Sequence, residues 1–172
     1  MKALVVYESM FGNTEQIARA IADGLSESLD VDVTEVSDAP AEPDAEVALI
    51  VAGGPTHAFS MSRTNTRADA INRGAHEGER EFGLREWMAA LRSGQHTAKI
   101  ATFDTKIESM RHMPGSAAKG AAKAVRKLGY EAATKAESFY VRDVDGPLVV
   151  GEVDRARAWA QQLAAWMTRE GS

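Results

Sequence analysis

The segment Glu8-Ser9-Met10-Phe11-Gly12-Asn13-Thr14 has the residue types of an anion cradle. Ser9 and Thr14 supply small hydroxyl side chains, Gly12 lets a ligand approach the backbone closely, and the free N–H groups of a following helix face the same point. A terminal phosphate suits this chemistry. An ordinary strand-to-helix turn capped by Asn13 or Thr14 is the other use of the same residues. No Gly-Lys-Ser/Thr follows, so this is not a Walker loop, and it lacks the three glycines of the dinucleotide fingerprint. ATP and NAD are therefore disfavoured as primary ligands. Ser9 lacks the flanking glycines of a nucleophile elbow, which argues against a hydrolase. A phosphorelay receiver needs paired acids after its first strand and an Asp after its third; this chain offers Glu8 alone and then Gly53-Gly54-Pro55.

Composition removes further chemistries. The 172 residues include no cysteine, which excludes disulfides, thiolate zinc sites, iron–sulfur clusters and a cysteine nucleophile. His57, His76, His96 and His112 show no metal-ligand spacing, so no metal site is expected. Redox chemistry would have to come from a bound cofactor. The formal charge is −5 and the basic residues are spread out, which is not the footprint of a nucleic-acid binder. No apolar run approaches the roughly 20 residues that cross a bilayer, and the N-terminal run is too short for a signal peptide. A cytoplasmic protein with small-molecule and protein partners is the expectation, with neither nucleic acid nor membrane among them.

The elements that would position these residues are readable from periodicity. Residues 3–7 are a continuous apolar run, as in a central parallel strand covered on both faces. Ile17, Ile21, Leu25 and Leu29 then recur every four residues, a helical stripe. Val31, Val33 and Val36 mark a second strand, residues 47–52 a third and residues 99–103 a fourth. Residues 130–141 supply a fifth, interrupted around Lys135-Ala136. The two prolines of segment 37–43 leave room for at most one helical turn between strands two and three. Helices are expected at 84–91, at 116–128 with Ser116 as cap, and at 153–167. Segment 57–83 is long for a structureless connection, so it should contain a helix near 67–73 or form a binding loop. Strands alternating with helices make an α/β fold with a parallel sheet, in one domain over residues 1–172. In such sheets ligands bind beyond the carboxyl ends of the strands, where strand order reverses. That singles out the loops after strands one, three and four.

The strand followed by Ser9-Met10-Phe11-Gly12-Asn13-Thr14-Glu15 and a helix resembles the phosphate loop of flavodoxins and of the flavodoxin modules of flavo-diiron proteins. Gly53-Gly54-Pro55-Thr56-His57 resembles the loop that borders the isoalloxazine ring in that family. The resemblance implies a flavodoxin-like three-layer α/β sandwich whose five-stranded parallel sheet has the order 2-1-3-4-5. It implies FMN as cofactor and electron transfer with a redox partner protein as the task. On this resemblance Ser9, Met10, Phe11, Gly12, Asn13 and Thr14 would hold the phosphate. Pro55, Thr56, His57, Ala58 and Phe59 would border the ring, with Phe103, Asp104, Thr105 and Lys106 as the other flavin-contacting segment. Phe11 stands where family members often carry Thr, and no Trp/Tyr pair brackets the ring; Phe59, His57 and Phe103 are the substitutes. Lys106 and Arg63 near the ring would favour added negative charge and raise the reduction potential. Two other readings stay open: an FMN-dependent NAD(P)H:quinone-type oxidoreductase, and a flavin-free binding module on the same fold. A monomer or weak homodimer is expected.

Overall fold

The computed structural model describes residues 1–170. Apolar runs flanked by turn residues become the strands, and the four-residue stripes become the helices. In chain order they are β1 (Lys2–Tyr7), α1 (Asn13–Ser26), β2 (Asp30–Glu35), β3 (Val47–His57), β4 (Ser60–Met61), α2 (Thr64–Asn72) and α3 (Leu84–Ala90). There follow β5 (Lys99–Ile107), α4 (Ala117–Lys127), β6 (Glu131–Ala132), β7 (Glu137–Val141) and α5 (Glu152–Glu170). No helix among the described residues is long and apolar enough to cross a membrane.

The parallel sheet runs β2-β1-β3-β5, and its last position is shared by β6 and β7, which both pair with β5. This is the expected order 2-1-3-4-5 with the fifth strand broken at residues 133–136. A short antiparallel strand, β4, is added beside β3. The layers follow from the pleat, which sends successive side chains to opposite faces. Ala3, Val5, Leu49 and Val51 pack with Ile17, Ile21 and Leu25 of α1 and Ala156, Ala160 and Leu163 of α5. Leu4, Val6, Ile50 and Ala52 pack on the other side with Leu84, Trp87 and Met88 of α3 and Ala117, Ala121 and Val125 of α4. With both faces covered, the central strands must be apolar at every position, which is why they read as unbroken runs.

Three boundaries differ from the sequence reading. Strand β5, expected at 99–103, runs on to Ile107 because β3 and β7 both extend beside it, so Phe103, Asp104, Thr105 and Lys106 are strand residues and not a loop. Strand β3 does not stop at Ala52 but continues through Gly53, Gly54 and Pro55, which pair with Phe103, Asp104 and Thr105. Gly53 is needed there because a Cβ would lie 2.5 Å from the Phe103 ring. Segment 57–83 contains the expected helix, although α2 begins at Thr64, ahead of the expected 67, and His76 and Glu77 then bond to the first loop.

The α1–α5 contact is closest at Gly24, where a Cβ would meet the Arg157 carbonyl at 2.4 Å and the Ala160 methyl at 2.9 Å. Alanine gains about 1 kcal/mol of helix propensity over glycine, but overpacking of this kind costs roughly 1–3 kcal/mol. Because the obstacle is backbone, Gly24→Ala is expected to lower the urea unfolding midpoint, not raise it.

Candidate functional site

Strand order reverses between β1 and β3, so the connections leaving their carboxyl ends diverge and open a crevice. The backbone N–H of Glu8 donates to the Gly53 carbonyl at 2.9 Å and closes the crevice floor.

Residues 8–12 form one end. Gly12 holds φ +85°, a left-handed conformation that favours glycine, and serves as N-cap of α1 without a side-chain cap bond. Its N–H donates to Ser9 Oγ at 3.1 Å, which curls the loop. The first-turn N–H groups of this 14-residue helix therefore face the loop opening, with the positive end of the helix dipole behind them. Met10, Phe11, Asn13 and Thr14 line a cavity of about 60 Å³ there, with Pro55, Thr56 and His57 opposite. Thr14 and Thr105 are hydrogen bonded through their hydroxyls at 2.7 Å. Asn13 Nδ2 donates to the Asp145 carbonyl at 3.1 Å.

The groove continues past Thr56, His57, Ile107 and Val144 into a larger cavity of about 320 Å³. On one side it is walled by Ala58 and Phe59, the two-residue turn between β3 and β4. Both have positive φ, +46° and +63°, as the turn of a two-residue hairpin requires but as non-glycine residues rarely accept. The opposite wall is Lys106, Ile107 and Met110, and α2 adds Asp69, Ala70 and Arg73.

Several expected ring-contacting residues are placed elsewhere. Phe103 is wholly buried in the α1/α5 layer, edge-on to Phe139. Asp104 is also wholly buried, and its Oδ2 accepts the Ala118 N–H at 2.8 Å. Burial pushes its carboxyl up. Thr56 reaches the groove, but its Oγ1 accepts the Ala117 N–H at 2.9 Å, so with Asp104 it serves the start of α4. Lys106 is only 6% exposed, and its ammonium donates to the Met113 and Gly115 carbonyls at 2.8 and 3.2 Å. Arg63 lines neither cavity; Arg73 lines the larger one.

The sequence reading missed a buried polar network behind the floor. Arg67 has no exposed surface. It donates to the Arg80 carbonyl at 2.7 Å, Ser62 Oγ at 2.8 Å and Glu86 Oε1 at 2.8 Å. Ser62 in turn donates to Glu8 Oε1 at 2.5 Å, and the Leu84 N–H donates to Glu8 Oε2 at 2.8 Å. Burial raises the Glu8 carboxyl against the pull of these donors. Val144, which lines both cavities, and Asp145, whose carbonyl holds Asn13, were also missed; the Gly146-Pro147 pair beside them was the available signal of a sharp turn.

Comparison with known proteins follows this geometry. The family model described as flavodoxin matches residues 5–90. No curated protein matches the sequence. A flavodoxin from the domain Archaea superposes with a TM-score of 0.65 at 19% identity, covering 98% of this chain and 99% of that one. A Streptococcus pneumoniae flavodoxin gives 0.64 at 20% identity, covering 96% and 99%. The flavodiiron protein from Giardia intestinalis gives 0.61 at 14% identity over 98% of this chain and 36% of that one. At these identities the superpositions establish the fold.

His57 stands between the two cavities, its Nδ1 3.1 Å from Thr66 Oγ1. Burial, with the Arg67 guanidinium behind it, lowers its pKa to about 4. The unfolded chain takes up a proton on this residue near pH 6.5, while the folded chain refuses it until about 4, so stability falls as pH falls through that window. The loss is on the order of 3 kcal/mol. Urea unfolding of wild type and His57→Gln at about pH 7 and about pH 4.5 is expected to show a smaller loss in the variant.

Proposed function

The chain belongs to the flavodoxin family, and on that premise we propose that it binds one FMN and transfers electrons between redox proteins. The observation that carries the reading is the uncapped start of α1 opening onto a groove that widens between residues 56–59 and 106–110. An anionic end group and a flat, largely apolar body are the two features such a groove fits. Ser9, Gly12, Asn13 and Thr14 would hold the phosphate, and His57, Ala58, Phe59, Ile107 and Met110 would border the ring. FMN, when bound, supplies the electron-accepting ring. The protein's own part is to orient the cofactor and set the electrostatics around it. His57 is neutral at pH 7 and adds no charge. Lys106 has no carboxylate in ion-pair contact among the described residues, so its buried charge favours negative charge in the adjacent cavity.

The α2 wall, with Asp69 and Arg73 facing the same cavity, favours a second reading in which a small-molecule acceptor is reduced there. Steady-state oxidation of NADH or NADPH with a quinone would report it.

Titrating the apoprotein with FMN is expected to give one-to-one binding with quenched flavin fluorescence. Thr14→Ala should weaken binding about fivefold, the value of one hydrogen bond of about 1 kcal/mol. No binding at tens of micromolar FMN would end the reading. With FMN bound, Lys106→Ala is expected to lower the reduction potential, by on the order of 1 kcal/mol per negative charge gained. An unchanged potential would remove Lys106 from the electrostatics of the ring.

A further inference from the structure

The phosphate end of the groove carries a side chain that FMN binding does not call for. Residues 74–81 return from α2 across the first loop, and the N–H groups of His76 and Glu77 both donate to the Met10 carbonyl at 3.1 Å. Gly78 is pressed against the loop: a Cβ there would meet Met10 Sδ at 2.5 Å and the Ser9 carbonyl at 2.8 Å. This packing brings the Glu77 carboxylate beside Gly12, on the side of the loop that faces Tyr7 and Glu15 and behind the small cavity. A Cβ built on Gly12 would lie 3.4 Å from Glu77 Oε1 and 3.7 Å from His76 Nε2. The Ser9 hydroxyl, one of the groups assigned to the phosphate, also faces the Glu77 carboxyl.

The surroundings do little to neutralise this charge. Glu15 on α1 stands against Glu77, and its own partner Arg19, at 2.6 Å, is mostly exposed. His76 is 3.7 Å from Glu77 Oε1. Tyr7 of β1, Glu35 and Asp38 beyond β2, and Glu79 face the same hollow. Burial, with Glu15 beside it, holds the Glu77 carboxyl above the usual carboxylate range.

We infer that Glu77 sets the selectivity of the loop between phosphorylated and unphosphorylated flavin: ionised, it opposes a dianionic end group, and it leaves an uncharged one unaffected. The backbone N–H groups of His76 and Glu77 on the Met10 carbonyl fix this segment against the loop, which keeps the carboxylate close to Gly12. A cofactor phosphate is opposed by its charge; a ribityl hydroxyl is not. Selectivity for FMN over riboflavin is thus smaller than the loop alone would give.

The inference rests on the FMN reading, and its test separates the two. Affinities of FMN and riboflavin are measured by fluorescence quenching for wild type and Glu77→Gln at about pH 6 and about pH 8. Glu77→Gln is expected to tighten FMN about tenfold at the higher pH, as expected for removing a like charge close by, and by less at the lower pH, where the phosphate itself carries less charge. Riboflavin should change by less than about twofold, because it carries no charge for Glu77 to oppose. The phosphate's second ionisation near pH 6 changes the charge that Glu77 opposes, so the comparison of the two proteins at the higher pH decides. Equal FMN affinity in the two proteins at the higher pH, or an equal gain for riboflavin, overturns the role of Glu77 and leaves FMN binding intact. If neither protein binds either flavin, the FMN reading fails and this inference falls with it.

Discussion

The fully buried guanidinium of Arg67 is the constraint on which the site depends. An unpaired charge in that position would cost several kcal/mol, so every donor must find an acceptor. The acceptors come from four places: Ser62 after β4, the Arg80 carbonyl, Glu86 on α3 and, through Ser62, Glu8 at the end of β1. These are the pieces that must be held together if α2 is to form a wall of the groove. The short helix buries little besides Ala70 and Arg67 itself, so apolar packing alone would not hold it. A polar network that is satisfied throughout fixes one arrangement, because any shift of α2 leaves a buried donor without a partner. The same network ends on Glu8, the residue before the phosphate loop, so the two ends of the groove share one anchor.

The turn at Ala58-Phe59 shows the anchoring from the other side. Two consecutive non-glycine residues at positive φ cost on the order of 1–2 kcal/mol each. They persist because their surroundings leave no relaxed alternative. Gly115 lies so close that a Cβ would be 2.6 Å from the Phe59 carbonyl, and Lys106 binds the carbonyl oxygens of Met113 and Gly115 itself. Strain of this kind collects where a side chain must be presented at a fixed angle, and Phe59 is left at the cavity mouth, 42% exposed.

The sheet order and three of the expected helices, at 84–91, 116–128 and 153–167, were legible because buried parallel strands and amphipathic helices write their periods into the chain. The turn from β1 into α1 was legible because its glycine and hydroxyls are local. What escaped the sequence depends on partners far along it. Gly53 and Gly54 look like turn residues, yet Gly53 is a strand residue that makes room for Phe103. Phe103, an aromatic residue at a strand end, looks like a stacking group and is core instead. Arg67 and Glu77 sit in a charged, polar stretch where exposure is the default for either residue. Nothing local marks one as a wholly buried cation and the other as the neighbour of Gly12; Glu8, which Arg67 reaches through Ser62, and Met10, which holds the backbone of Glu77, lie far earlier in the chain.

The segment that resisted interpretation is therefore the one that distinguishes this site. From 57 to 83 the chain builds the ring-end turn, supplies α2 as a wall, buries Arg67 beneath the floor and returns over the phosphate loop. Its two ends act on opposite ends of the groove with opposite charge. Arg73 faces the wide cavity, on the side where Lys106 is already uncompensated, while Glu77 stands at the anion cradle. On the proposed reading, FMN lying along the groove would meet Lys106 and Arg73 at its ring and Glu77 near its phosphate. At the phosphate end that charge would oppose what the uncapped helix alone imposes, and it comes from one segment whose position is fixed by a buried arginine.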